Sequence, residues 1–429
     1  MLKLKGSIVV GSCKSCSHRS ILLSAMSVGK AKIRNLLESE DVLSTLHILK
    51  NLGIRIEKSG NFYIVWGQGT NGFMEPDKAL ECNNSGTTAR LCIGAVASNP
   101  ISCTFTGDKS LSSRDMSRIT NFLVQMGAEV KLTKQQYLPL MISGSDKLIP
   151  RKFIMEKASA QVKSGLILAA LNTHGTTRII ENKPTRDHTE RLMKFLNIKF
   201  KINKLKNGGN EIVLNGPYEF KSKNITVPGD PSSAAFFIVG ALIIPNSKIV
   251  LKNVMLNSTR TGYIDILKKM GGKIKIQKTK TLSGEDVGNI TAEYSKLKGI
   301  NINASLFPKL VDEYPILSIA ATQANGLTVM KGLGELRHKE SDRQQSIFYN
   351  LKRIGFKVNL KNDKLTIYGG KVKLKNNITI RTWSDHRISM SFSILNILYE
   401  NKLKIDDTKC ISISYPKFIE HLNQLAIKN

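Results

Sequence analysis

Seven consecutive residues, Arg337-His338-Lys339-Glu340-Ser341-Asp342-Arg343, gather two arginines, a lysine, a histidine and two carboxylates where a strand-like run ending at Met330 gives way to a helix-like one. On a helix, Lys339 and Arg343 would be four apart and share a face, with Glu340 one position away and able to point into the same space. That set suits an anionic substrate and a proton donor. The alternative is a charged helical turn held by i,i+4 pairs, worth only a few tenths of a kcal/mol.

Other stretches pair polar or cationic residues with the start of an apolar helix: Lys14-Ser-Cys-Ser-His-Arg19, Asn84-Ser-Gly-Thr-Thr-Ala-Arg90, Ser159-Ala-Gln161, Asp230-Pro-Ser-Ser233, Asp312-Glu-Tyr-Pro315 and Ser384-Asp-His-Arg387. A helix N-terminus presents unpaired N–H groups and partial positive charge, so it can seat an anion. A single N-cap is worth about 1 kcal/mol and needs no further role. Six starts bearing Lys14, Arg19, Arg90 and Arg387 exceed that need. Arg114, Arg186 and Arg260 add cations outside the starts, and together these groups fit substrates carrying several phosphates and carboxylates. No phosphate-binding Walker loop or HExxH is present in the sequence. Cys13-Lys-Ser-Cys16 has the CxxC spacing, but a zinc site needs about four ligands. Only His18 is near in sequence and no second CxxC exists, so no metal is expected.

The elements that must carry these residues recur. Helix-like stretches end at Gly53, Gly127, Asn197, Gly271 and Gly355, which are 70 to 84 residues apart. Gly, or Asn in its place, takes the left-handed conformation that closes a helix. Alternating strand pairs follow, with turns readable at Ser59-Gly-Asn61, Asn207-Gly-Gly209, Ser283-Gly284 and Asn362-Asp363. The polar helix starts interleave at similar spacing. The chain therefore reads as six βαβαββ-like units in an α/β (α+β) fold, grouped three and three, with a break near Val227-Pro228-Gly229.

Composition narrows the function. Lys+Arg 64 against Asp+Glu 33 gives a net charge of +31 in 429 residues. The lysines are dispersed, without basic blocks or interleaved aromatics, which argues against nucleic acid as partner. No apolar run reaches the roughly 18 residues that span a bilayer. The first ten residues read as a strand, and a cytoplasmic location is expected. Six cysteines in so long a chain form no disulfide framework.

Taken in order, the helix-start segments, together with Thr185-Arg-Asp-His-Thr-Glu190 and Arg337–Arg343, resemble the 5-enolpyruvylshikimate-3-phosphate synthase family, at its spacing and over nearly the whole chain. The Ser-Ala-Gln, Thr-Arg-Asp-His-Thr and Asp-Glu-Tyr-Pro wording resembles its second bacterial branch. The resemblance implies two lobes of three repeats, an inside-out α/β barrel: 13–227, mainly for shikimate 3-phosphate, and 1–12 plus 228–429, with the acid and base. It implies that Lys14, Ser15, Arg19, Ser159, Ala160, Gln161, Arg186, Asp312 and Lys339 contact shikimate 3-phosphate. Lys14, Gly86, Arg114, Gln161, Arg343 and Arg387 would hold phosphoenolpyruvate. Asp312 would take the proton of the 5-hydroxyl and Glu340 would protonate the methylene carbon, with Lys14 assisting. No cofactor or metal is implied, the partners are the two small substrates, and a monomer is expected. Ligands are expected to draw the lobes together across residues 10–14 and 226–230, and Gly86 to leave the enzyme open to glyphosate. Three positions depart from the family pattern: Gly11-Ser12 replaces Pro-Gly, Asp115 follows Arg114 where Pro is usual, and Ile413 stands where one branch has a ligand-binding lysine. The sister transferase acting on UDP-N-acetylglucosamine would need a loop cysteine, a part left to Cys82 or Cys103.

Overall fold

The computed structural model describes residues 2–134, 136–374 and 378–428, with backbone alone at 133 and 134. The chain divides into two compact units: an N-terminal one, Ser12–Val227 with Leu282–Glu285, and a C-terminal one, Met1–Gly11 with Pro228–Thr281 and Asp286–Asn429.

One sheet pattern is repeated. A short entering strand leads into a helix and pairs in parallel with the strand after it, as Leu80 does with Phe105. Parallel pairing requires such a crossover. That second strand then pairs antiparallel with the far strand of a hairpin, so Leu80–Glu81, Ser102–Thr106, Tyr137–Ser143 and Glu129–Lys134 lie in that order across one open sheet. Lys152–Met155, Gly175–Glu181, Asn210–Gly216 and Lys201–Lys204 repeat it, and so does the sheet of Asn301–Ile302, Leu327–Met330, Lys364–Tyr368 and Val358–Lys361.

Two sheets take their entering strand from far along the chain. Ile225–Thr226, at the end of the N-terminal unit, pairs with Val28–Arg34 at its beginning. Leu2–Val9, at the start of the chain, pairs in parallel with Lys248–Met255, and its other edge takes Ala426–Lys428. The sixth copy is reduced to Thr379–Ile380 beside Lys404–Ile405. None of the sheets closes among the described residues.

Within each unit the helices that follow the entering strands are interior. All thirteen residues of Pro231–Ile243 are buried, which marks a helix apolar on every side as a core element. In the N-terminal unit the helices Gly86–Ala97 and Ala160–Ala170 cross at two glycines. A Cβ on Gly94 would stand 2.3 Å from the Gly165 carbonyl oxygen. Gly53, Gly127, Asn197, Gly271 and Gly355 lie at φ 84°, 103°, 62°, 95° and 110°, the left-handed helix ends anticipated from the sequence. Ser283-Gly284 and Asn362-Asp363 have positive φ at both positions, the geometry of a two-residue hairpin turn.

Candidate active site

In the N-terminal unit three buried helices start with a capped N-terminus. Cys13 Sγ accepts from Cys16 N (3.4 Å), Ser85 Oγ from Thr88 N (3.1 Å) and Ser159 Oγ from Val162 N (3.3 Å). Lys14, first residue of the helix Lys14–Ala25, places Nζ 2.7 Å from Asp41 Oδ2. The Asp41 carbonyl accepts from Thr88 Oγ1 at 3.1 Å, which ties this ion pair to the next helix start.

Arg19 is buried, donating to Thr189 Oγ1 (2.7 Å), Ser164 Oγ (2.7 Å) and the Ser15 carbonyl (2.9 Å). It clamps the backbone of Ser15 to two other helices. Arg186 stands half-buried in a loop anchored by Glu181, whose Oε2 accepts from Thr185 N and Oγ1 at 3.0 and 2.7 Å. Glu181 and Glu190 in turn pair with the fully buried Lys163 at 3.1 and 2.6 Å.

Around Gly86 the cations crowd. Arg90 donates to the Gly86 carbonyl (3.3 Å), Gln161 Oε1 (3.0 Å) and the Asp115 carbonyl (2.9 Å). Arg114 donates to Asn84 Oδ1 at 2.6 Å, while its buried Nε has no hydrogen-bond partner among the described residues. A Cβ on residue 86 would meet Arg90 Nη1 at 2.7 Å, so glycine is what lets that guanidinium approach, while Arg114 Nη1 at 3.5 Å would remain in ordinary contact. Burial, and then the charges of Arg114 and Arg118, hold the Arg90 guanidinium below its ordinary pKa. Such a cluster gains from an anion. Asp115 opposes the lowering of the Arg90 pKa without overcoming it, while its Oδ1 accepts from Ser117 N at 2.7 Å. Arg90 was read from the sequence only as part of a helix start; its spacing of four from Gly86 was the available signal.

The C-terminal unit gathers the acids. Arg343, 1% exposed, donates from Nε to Asp385 Oδ2 (2.8 Å), from Nη1 to Asp312 Oδ1 (3.3 Å) and from Nη2 to Glu340 Oε2 (2.5 Å). Burial works against its charge, but Asp385, Glu340 and Asp312 outweigh that and raise its pKa. For Asp385, burial pushes upward and the Arg343 guanidinium overrides it, so the net shift is down. Asp385 also caps the helix His386–Leu398, accepting from Arg387 N at 2.9 Å. Arg387 in turn approaches Asp312, with Nε 3.5 Å from its Oδ1. Asp312 and Glu340 are the accessible members, with side chains 15% and 21% exposed.

Two expectations are corrected. Lys339 and Arg343 do not share a helix: Gly334–His338 is a tight turn, Lys339 is extended, and the helix Arg343–Ile354 begins only after Asp342. Asp342 Oδ1 accepts from Gln345 N at 3.0 Å, and this cap sets the start. Arg260 faces inward instead of toward a ligand. It is 2% exposed and donates to Asp230 Oδ1 (3.1 Å) and Ser232 Oγ (2.7 Å), stapling the start of the helix Pro231–Ile243. Gly11, at the Gly11-Ser12 departure, packs so closely on Tyr415 that a Cβ would lie 2.7 Å from its ring, and its N–H donates to Tyr415 Oη at 3.1 Å. Ile413 lies in the turn Lys409–Ile413. Cys82 and Cys103 are buried, and burial pushes both thiols up, Cys103 to about 12, which suits neither to act as an acid or nucleophile. No helix among the described residues is long and apolar enough to cross a membrane.

Residues 1–422 match the family described as EPSP synthase (3-phosphoshikimate 1-carboxyvinyltransferase). The 3-phosphoshikimate 1-carboxyvinyltransferase of Sphingopyxis alaskensis is 42% identical over 421 residues, covering 97% of this chain and 94% of that one. That of Bacillus cereus is 40% identical over 424 residues, covering 99% and 97%. The EPSP synthase structure from Acinetobacter baumannii superposes with a TM-score of 0.86 at 37% identity over 100% of this chain and 97% of that one. The enolpyruvyl transferase NikO from Streptomyces tendae shares the fold, with a TM-score of 0.76 at 14% identity over 99% and 96%. With cationic helix starts in one unit and paired acids in the other, the chain belongs to the EPSP synthase family, the 3-phosphoshikimate 1-carboxyvinyltransferases of the shikimate pathway.

Proposed function

We propose that the acids held by Arg343 carry the proton transfers of this reaction, and that phosphoenolpyruvate releases them for it. The carrying observation is that one buried guanidinium grips Asp312, Glu340 and Asp385 while Arg387 also reaches Asp312. An anionic substrate competes with Asp312 and Glu340 for the two arginines. Once it wins, both carboxylates are free to exchange protons.

Glu340, once released from Arg343, takes a proton from solvent; the 5-hydroxyl oxygen of shikimate 3-phosphate then bonds to C2 of phosphoenolpyruvate, its proton passing to Asp312, while protonated Glu340 gives its proton to C3. Breaking the C2–O bond to phosphate, with a C3 proton returning to Glu340 and the Asp312 proton passing to the departing phosphate, yields the enolpyruvyl ether and inorganic phosphate and restores both carboxyl groups. The N-terminal unit would contribute binding: Lys14, Ser15, Arg19, Ser159, Ala160, Gln161 and Arg186 toward shikimate 3-phosphate, with Lys339 from the C-terminal unit. Gly86, Arg114, Gln161 and Lys14, joined by Arg90, would serve phosphoenolpyruvate, with Arg343 and Arg387. Arg19 acts there by positioning Ser15.

The test is turnover in heavy water. Wild-type enzyme should place deuterium in the enolpyruvyl methylene group, and Glu340→Gln should lose both this exchange and phosphate release. Undiminished exchange in Glu340→Gln would remove it from the proposed role.

A further inference from the structure

The CxxC motif, set aside on sequence grounds for want of ligands, acquires them in the fold. Cys13 Sγ, Cys16 Sγ and a His188 ring nitrogen lie within 4.8 Å of one another, all three residues buried. His188 stands 172 positions from Cys16, which is why sequence spacing could not reveal it. His18, the candidate in sequence, turns away and puts Nδ1 2.7 Å from Thr45 Oγ1. A fourth donor is present: Glu285 Oε1 lies 2.7 Å from His188 Nδ1, and the Glu285 side chain is only 4% exposed.

We infer that Cys13, Cys16, His188 and Glu285 form a binding site for a borderline-soft divalent cation such as zinc, distinct from the substrate-binding groups. Two thiolates, an imidazole and a carboxylate are the donor set that such ions take in tetrahedral geometry. The three-residue cluster already has the compactness of such a site, and Glu285, which lies beyond 4.8 Å of at least one of the two sulfurs, swings in to complete it. A tetrahedral zinc with bonds of about 2.3 Å to sulfur and about 2.05 Å to nitrogen has S···N edges of about 3.6 Å and S···S edges of about 3.8 Å. Cys16 Sγ is 3.7 Å from His188 Nδ1, so this edge is already formed. The Nδ1–Oε1 pair must open from 2.7 Å to about 3.3 Å, which replaces one hydrogen bond with two bonds to the ion.

Binding releases both thiol protons to solvent and leaves the histidine proton on Nε2; Glu285 enters as carboxylate. The ion and its three anionic ligands carry one net negative charge, and Arg191, paired with Asp187 Oδ2 at 2.8 Å, also approaches the site with its Nε 3.7 Å from Glu285 Oε2. Lys14 and Ser15 lie between the two cysteines, so the ion pins the start of the helix Lys14–Ala25 to the start of the helix His188–Phe195.

The experiment titrates Co2+ into reduced, metal-stripped full-length protein under anaerobic conditions. A thiolate-to-cobalt charge-transfer band in the near ultraviolet is expected, together with the visible bands of tetrahedral cobalt, saturating at one equivalent and displaced by Zn2+. Cys16→Ser should abolish the band, and Glu285→Gln should weaken cobalt binding about tenfold or more. Cobalt uptake without the charge-transfer band, or a band that survives in folded Cys16→Ser, overturns the assignment. Should Cys16→Ser fail to fold, the wild-type band and the Glu285→Gln titration decide it, unchanged affinity in the latter removing Glu285 from the site.

Discussion

Gly86 shows how one missing atom governs a site. Its bare Cα leaves room for the Arg90 guanidinium, which an added Cβ would meet at 2.7 Å. Gly86→Ala should therefore raise KM for phosphoenolpyruvate about tenfold, roughly 1.4 kcal/mol, with KM for shikimate 3-phosphate little changed. Initial-rate measurements varying each substrate in turn separate the two. A parallel loss for both substrates would assign the damage to the fold. For Glu340→Gln, kcat should fall about 10² to 10⁴-fold, the range of a lost general acid, with KM values held within a few-fold. At this scale the sequence named most of the charged groups but not their partners. Arg260 looked like Arg114 in composition and context, yet one staples a helix and the other faces Asn84 and a cluster of cations. Whether an arginine is turned inward depends on a carboxylate 30 positions away, which no local pattern reports.

Element ends were far more legible than element interiors. Gly and Asn at helix stops and hairpin turns declare themselves because few other residues tolerate positive φ. The helix start at Arg343 was misplaced because Lys339 and Glu340 are good helix formers, whereas Asp342 as cap overrides them. Close crossing of the helices Gly86–Ala97 and Ala160–Ala170 was likewise invisible until both glycines were seen together. Gly94→Ala should cost about 1–3 kcal/mol by overpacking, read as a lower urea midpoint with unchanged slope. His18, on the helix Lys14–Ala25, adds a pH dependence. Burial first, then Lys14 and Arg19, hold its pKa well below 6.5. The unfolded chain binds the proton as pH falls through 6.5 and the folded chain does not, so stability is kept above that pH and lost below it. Between pH 7.5 and 5.5 this one residue should contribute a loss of about 1.4 kcal/mol, absent in His18→Gln. Urea midpoints of both proteins at the two pH values give the comparison.

At the scale of the whole molecule, the repeat was readable because each copy ends its helix and turns its hairpin with the same residue types. The exchange of entering strands was not readable from the residues themselves, because Leu2–Val9 reads as a strand without revealing that its partner begins at Lys248; only the family resemblance joined residues 1–12 to 228–429. The net charge of +31 also acts at this scale. Both substrates are polyanions, so the field of the protein should accelerate their arrival, and added salt should screen it. From roughly 10 mM to 150 mM ionic strength the Debye length shrinks from about 30 Å to about 8 Å, and kcat/KM for each substrate should fall several-fold while kcat changes little. Arg343 itself is buried, so the contacts that hold the acids to it should be screened less than the exposed lysines, and the encounter is the step most affected. Repeating the series at equal ionic strength with a bulky, weakly coordinating anion in place of chloride distinguishes screening from occupation of the cation cluster by chloride. If kcat/KM stays flat across that range in both media, the dispersed lysines are simply a solvated surface and the field plays no part in substrate capture.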